Sequence, residues 1–202
     1  MARPAEPRFF LMTDTDRLPD PVGAVRHLPR NAAVIFRHYD ASERDRLAET
    51  LARTCRPYGV SLSIAGDVTL ASRVNAAGLH LPEGLMRHGL RHRTLAWRQS
   101  KPGRFLSAAV HDSAALAAAR RLGVDFVLLS PIFPTASHPG ALSLGVVRLT
   151  AWTRQYGAGL KIIALGGVNG RTARRLAGTG VTGCAGIDGI VTLSRAGRRY
   201  RF

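Results

Sequence analysis

The stretch Leu128-Leu129-Ser130-Pro131-Ile132-Phe133-Pro134-Thr135-Ala136-Ser137-His138-Pro139-Gly140 sets two hydroxyls and an imidazole just past an apolar run. Phe126 to Leu129 reads as a buried strand, and the loop behind it carries Thr135, Ser137 and His138. Such groups beyond a strand end suit an anionic ligand, because loops over a rigid sheet often carry function. A tight turn with incidental polar residues is the plain alternative. A second stretch, Leu165-Gly166-Gly167-Val168-Asn169, also follows an apolar run. Adjacent glycines let the backbone come close to a ligand, and their N–H groups can cradle a phosphate. Asp188 and Gly189, past the last apolar run, would complete that site, provided the Asp188 carboxylate points away from the anion. Here the alternative is a tight strand-to-helix turn.

These loops need strands beneath them. Near-continuous apolar runs occur at Phe9–Met12, Ala33–Phe36, Ser61–Ile64, Gly78–Leu81, Phe105–Val110, Phe126–Leu129, Ile162–Leu165 and Gly183–Ile187. That pattern predicts parallel strands covered on both faces. Helix-like stretches lie between them, at Ser42 to Arg56, Ser113 to Leu122, Leu142 to Tyr156 and Arg171 to Ala177. Eight strands in 202 residues leave about 25 residues per unit, which fits a single (β/α)8 TIM barrel. An open doubly wound sheet is the competitor, but the first strand ends in Met12-Thr13-Asp14, without the expected glycines. The barrel is assigned to residues 1–192 and a basic, irregular tail to 193–202. The region from Gly84 to Gly103 reads as a short helix and a surface connection.

In such a barrel the C-terminal strand ends carry the active site. A polar residue follows nearly every strand: Asp14, Arg37, Asp67, His80 with Glu83, His111 with Asp112, then the Thr135 loop. Each could be an ordinary cap; together they would line one mouth.

Bulk properties narrow the function classes. A hydrophobic content of 46% supports a sizeable core. No apolar run approaches the ~20 residues that span a bilayer, so no membrane role is expected. Cys55 and Cys184 suggest packing residues in a reducing, cytoplasmic setting rather than a disulfide framework. The net charge of +16 would suit a nucleic-acid partner. However, the basic residues are scattered arginines, mostly on helix-like stretches, and Lys101 and Lys161 are the only lysines. Composition accounts for the charge, and no specific nucleic acid is expected. Homo-oligomerisation stays open.

The motifs resemble those of the thiamine-phosphate synthase and thiazole tautomerase superfamily. Ser130 to His138 is similar to that family's G-P-I-[FY]-P-T-x-T-K. Leu11-Met12-Thr13-Asp14 is like L-I-T-D, and Val34 to Tyr39 sits where the family has V-Q-L-R-E-K. Ala77-Gly78-Leu79-His80-Leu81 is similar to D-G-V-H-L, Val110-His111 to the strand-five end, and Ile163 to Val168 to V-A-I-G-G-I. Order and spacing agree over nearly the whole chain.

The resemblance implies a small phosphorylated heterocycle as ligand. It also implies coupling of hydroxymethylpyrimidine diphosphate to a thiazole phosphate, with Mg²⁺ on the departing diphosphate. Phosphate-binding positions would be Thr135, Ser137, Gly166, Gly167, Asp188 and Gly189, and catalytic positions Arg37, His111 and His138. The metal half departs from the pattern. The family's glutamine and lysine fall on Ile35 and Tyr39, and its aspartates on Gly66 and near Leu85. Asp67 and Glu83 are the substitutes nearest in sequence. The tautomerase histidine falls on Pro131, while His111 matches the other histidine of that branch and can serve as acid or base. Three readings follow: a synthase of thiamine synthesis, a divergent isomerase using His111, and a non-catalytic binder that keeps the phosphate half.

Overall fold

The computed structural model describes residues 6–39, 42–88, 91–135, 140, 142–187 and 189–195. Eight parallel strands close into a barrel in sequence order, β1 to β8, with β8 paired back onto β1. They are β1 (Phe9–Met12), β2 (Ala32–Phe36), β3 (Ser61–Ala65), β4 (Gly78–Leu81), β5 (Phe105–Val110), β6 (Phe126–Leu129), β7 (Lys161–Ala164) and β8 (Gly183–Gly186). The closed ring rules out the open doubly wound sheet. No described helix is long and apolar enough to cross a membrane.

Period-two alternation divides each strand between two cores. Phe10, Ile35, Phe126, Leu128 and Ile163 fill the inside of the barrel. Their neighbours Leu11, Val34, Ile64, Leu106 and Val127 face the surrounding helices. Phe10, Phe105 and Phe126 meet edge to face, with centroids 5.3 and 5.4 Å apart. Burying each ring stabilises the fold by roughly 1.5–3 kcal/mol. Because both faces are covered, the strands read as unbroken apolar runs.

The outer layer comprises α1 (Pro21–Val25), α2 (Arg44–Tyr58), α3 (Val68–Arg73), α4 (Glu83–His88), α5 (Arg91–Gln99), α6 (Ser113–Leu122), α7 (Gly145–Tyr156), a 3-10 turn (Ala173–Leu176) and α8 (Gly189–Arg195). Caps set several of the boundaries that differ from the sequence reading. The helix expected to end at Arg56 runs on as α2 through Pro57 to Tyr58. There Gly59, at φ 64°, donates its N–H to the Arg56 and Cys55 carbonyls. The expected helix from Arg171 to Ala177 is only the 3-10 turn. Gly84 to Gly103 holds two helices, α4 and α5, rather than one. The basic tail was expected to begin after Thr192, but α8 continues to Arg195, and residues 196–202 lie outside the described residues. Cys55 and Cys184 are buried free thiols, and burial pushes both up to about 12.

His80 was expected beyond β4, but it lies within it, 2% exposed, facing the barrel interior. Its Nδ1 is 3.0 Å from Ser107 Oγ. Burial, reinforced by the charge of Arg37, lowers its pKa from the ordinary 6.5 to about 3. The folded chain therefore refuses a proton that the unfolded chain accepts. This contribution to stability is complete above about pH 6.5 and is lost as the pH falls toward about 3. Acid unfolding followed by circular dichroism should steepen across that window, and His80→Gln should flatten it. Equal slopes for the two proteins would contradict the assignment.

The β1–β8 seam yields a second expectation. A Cβ on Gly183 would lie 2.1 Å from the Arg8 carbonyl oxygen, whereas nothing lies within 4 Å of one on Gly84. Gly183→Ala should destabilise by at least about 1–3 kcal/mol through overpacking. Gly84→Ala, inside α4, should stabilise by about 0.5–1 kcal/mol. Urea unfolding of the two variants measures both signs.

Candidate active site

A cavity of about 720 Å³ opens at the C-terminal mouth of the barrel. Its walls include Asp14, Arg37, His111, Ser130, Thr135 and Gly166. These come from the ends of β1, β2, β5, β6 and β7, with Ile187 added from beyond β8. Among the described residues, none of those lining it comes from the ends of β3 or β4.

Arg37 follows β2, and its N–H donates to Thr13 Oγ1 at 2.9 Å. Thr13 Oγ1 also lies 2.9 Å from His38 Nδ1, which ties the ends of β1 and β2 together beneath the guanidinium. Asp14 Oδ1 accepts the N–H of Arg17 at 3.0 Å and that of Asp16 at 3.2 Å. The Arg17 amide is the main cause that holds the Asp14 carboxyl below its ordinary value, and Arg37 adds to it.

His111 stands on the opposite wall. Its Nδ1 is 3.0 Å from the Ser130 carbonyl oxygen and 3.1 Å from Ser130 Oγ. Its Nε2 is 3.8 Å from Glu83 Oε2. A carbonyl only accepts, so the close Ser130 oxygen favours a proton on Nδ1. Nε2 is then the unprotonated nitrogen, and it is the one beside the Glu83 carboxylate. Glu83, expected as a metal ligand, is brought to a histidine instead.

A second cavity of about 420 Å³ adjoins the first, and both are lined by Arg17, Thr135, Leu165, Gly166 and Ile187. Gly167 and Gly189 line the second cavity alone. Gly166 and Gly167 have φ of 88° and 64°, in the left-handed region that favours glycine. A Cβ on Gly167 would lie 2.4 Å from the Pro134 carbonyl oxygen, and one on Gly166 2.9 Å from Pro131 Cα. The loop after β6 is thus seated directly on the glycines after β7. Ile132 and Phe133 donate their N–H groups to the Leu165 and Gly166 carbonyls. Among the described residues, the N–H groups of Gly166, Gly167 and Val168 have no hydrogen-bond partner. Ser137, His138 and Asp188, also expected here, lie outside the described residues.

The side of the mouth above β3 and β4 is built differently. Asp67 caps α3, with Oδ1 accepting from Leu70 N at 2.8 Å, and its Oδ2 pairs with Arg44 at 2.8 Å. Burial pushes the Asp67 carboxyl up, but the Leu70 amide and Arg44 outweigh it and hold it low. Arg44 also donates to the His38 and Ala65 carbonyls. Tyr39 and Leu85 close over Gly66, where an added Cβ would sit 3.7 and 3.3 Å from them. Mg²⁺ needs hard oxygen ligands, usually one or two free carboxylates beside the substrate phosphates. Among the described residues no three His, Cys, Asp or Glu side chains are grouped to hold a metal ion. Asp67 already has both oxygens engaged, by the Leu70 amide and by Arg44, so it fits poorly as a ligand to the metal that the resemblance implied.

Sequence reading missed Arg17 and Ser130. The Asp14-x-Asp16-Arg17 turn was the available signal for Arg17; Ser130 was visible only as a departure from the family's glycine.

A ligand cavity at this face places the chain among barrels that work at the C-terminal ends of their strands. Comparison with known proteins is more specific. The thiamine monophosphate synthase family pattern, TMP-TENI, matches residues 22–190. The chain is 26% identical over 190 residues to the thiamine-phosphate synthase of Anoxybacillus flavithermus, covering 90% of this chain and 84% of the relative. It is 33% identical over 151 residues to that of Listeria monocytogenes serotype 4a, covering 74% and 68%. Thiamine phosphate pyrophosphorylase from Pyrococcus furiosus has the same fold, with a TM-score of 0.74 at 22% identity over 95% of this chain and 94% of that one. The chain belongs to the thiamine monophosphate synthase family.

Proposed function

We propose that this chain is an enzyme of thiamine synthesis that binds a thiazole phosphate, or a close heterocyclic phosphate, at the barrel mouth. The observation that carries this reading is the pair of adjoining cavities, one with Asp14, Arg37 and His111 set in a largely apolar wall and one floored by glycines whose amides have no hydrogen-bond partner among the described residues. Backbone N–H groups suit a phosphate because they need no reorganisation to meet its charge. The ring would then extend into the larger cavity, between Arg37 and His111. Arg37 keeps its charge at any working pH and would face negative charge developing on a leaving group.

A second reading is favoured by the His111–Glu83 pair. His111 Nε2 would take a proton from one ring position and return it at another, an isomerisation that needs no metal. The spent Asp67 and the Tyr39–Leu85 closure weigh toward this reading over coupling to a diphosphate.

Two measurements test these readings. Titration with thiazole phosphate and with its dephosphorylated alcohol should favour the phosphate; equal affinity would overturn the phosphate site. Incubation with thiazole phosphate, hydroxymethylpyrimidine diphosphate and Mg²⁺ separates the reactions. Coupled product that forms only with Mg²⁺ present supports a synthase. Solvent deuterium entering the thiazole ring without coupling, and lost in His111→Gln, supports the isomerase.

A further inference from the structure

We infer that Arg17 is the side chain that selects for the phosphate, closing over the Gly166–Gly167 cradle as the counter-charge that the backbone there lacks. The inference rests on the phosphate reading above and adds to it the residue that discriminates.

Three observations carry it. First, Arg17 lines both cavities and is the only charged side chain shared between them among the described residues. In the smaller cavity its described companions are glycines, apolar side chains, Pro134, Thr135 and Asn169, none of which carries charge. Amide dipoles alone leave a bound dianion uncompensated, and a guanidinium is suited to paired hydrogen bonds with phosphate oxygens.

Second, ring closure puts Arg17 there. Leu11 of β1 pairs with Gly186 of β8, so the loop leaving β1 stands beside the loop leaving β8. Arg17 is three residues beyond Asp14 in the first of these loops, and Gly189 lies just past the second. Third, the loop that carries Arg17 is held. Asp14 Oδ1 accepts its N–H, and Leu18 N donates to the Asp14 carbonyl at 3.1 Å. Asp20 then caps α1 through Gly23 N at 2.8 Å. The backbone is fixed on both sides of Arg17, and the residue is exposed at the mouth.

The two arginines of the mouth divide the ligand between them. Arg37 lines only the larger cavity and faces the reacting end, whereas Arg17 overlooks the phosphate.

Calorimetric titration of thiazole phosphate and its alcohol into wild type, Arg17→Gln and Arg17→Lys tests the assignment. Hydrogen bonds to charged groups are strong enough that Arg17→Gln should lose about ten- to hundredfold in phosphate affinity. Affinity for the alcohol should not change. Arg17→Lys should recover part of the loss, as a point charge without the planar fork. A phosphate preference that survives Arg17→Gln overturns the assignment to Arg17 alone. A wild type with no preference overturns the phosphate reading and this inference with it.

Discussion

The return of β8 onto β1 is the constraint on which the rest of the molecule depends. Several strands are only four residues long, and a short strand at an open edge would expose unpaired backbone groups. Closure removes the edge and fixes the neighbours of every mouth loop. It brings the β1 loop beside the β8 loop, and the β6 loop onto the β7 glycines. The seam is tight because Gly183 meets the Arg8 backbone, where no side chain fits. Inside the ring, large aromatics share the space with Ala33, Ala65 and Ala185. Small residues opposite rings are what let eight short strands close without a void.

The glycine pair after β7 shows how one motif can have two causes. Gly167 cannot carry a side chain because Pro134 and Phe133 press on it, whether or not a ligand binds. The same seating spends the Ile132 and Phe133 amides while leaving those of Gly166, Gly167 and Val168 unspent. Packing demands the glycines and thereby creates an anion-ready floor. A reading of Leu165 to Asn169 alone cannot separate the two causes; the adjoining cavity is what favours a ligand.

What was legible in the sequence follows from this geometry. Continuous apolar runs located all eight strands to within a residue, because burial on both faces leaves little choice of residue type. Helix ends were less legible, since caps such as Gly59 decide them rather than the apolar pattern. His80 was legible in principle: Gly78 and His80 share the inward face by period two, but the histidine was read as a loop residue. Asp67 had the spacing of an N-cap to Leu70, and that ordinary use is the one it has. For Arg17 only the Asp14-x-Asp16-Arg17 turn was legible, because nothing local joins that turn to glycines some 150 residues away. That proximity appears only when the ring closes.

The two sides of the mouth differ in how they handle charge. Above β3, Arg44 holds Asp67 and two carbonyls at once, so a fixed guanidinium cross-links the ends of β2 and β3. A carboxylate neutralised in this way is a poor metal ligand, since releasing it would leave Arg44 without its partner and α3 without its cap. Over Gly66 the nearest groups are the Tyr39 ring and the Leu85 side chain, with no carboxylate where the resemblance put one. Around β5 to β8 and β1 the polar groups converge instead, with His111 held by Ser130 and Asp14 held by the turn before α1. The two sides of one mouth thus put their charge to different use: above β3 it joins strand ends to each other, while around β5 to β8 and β1 it lines the cavities.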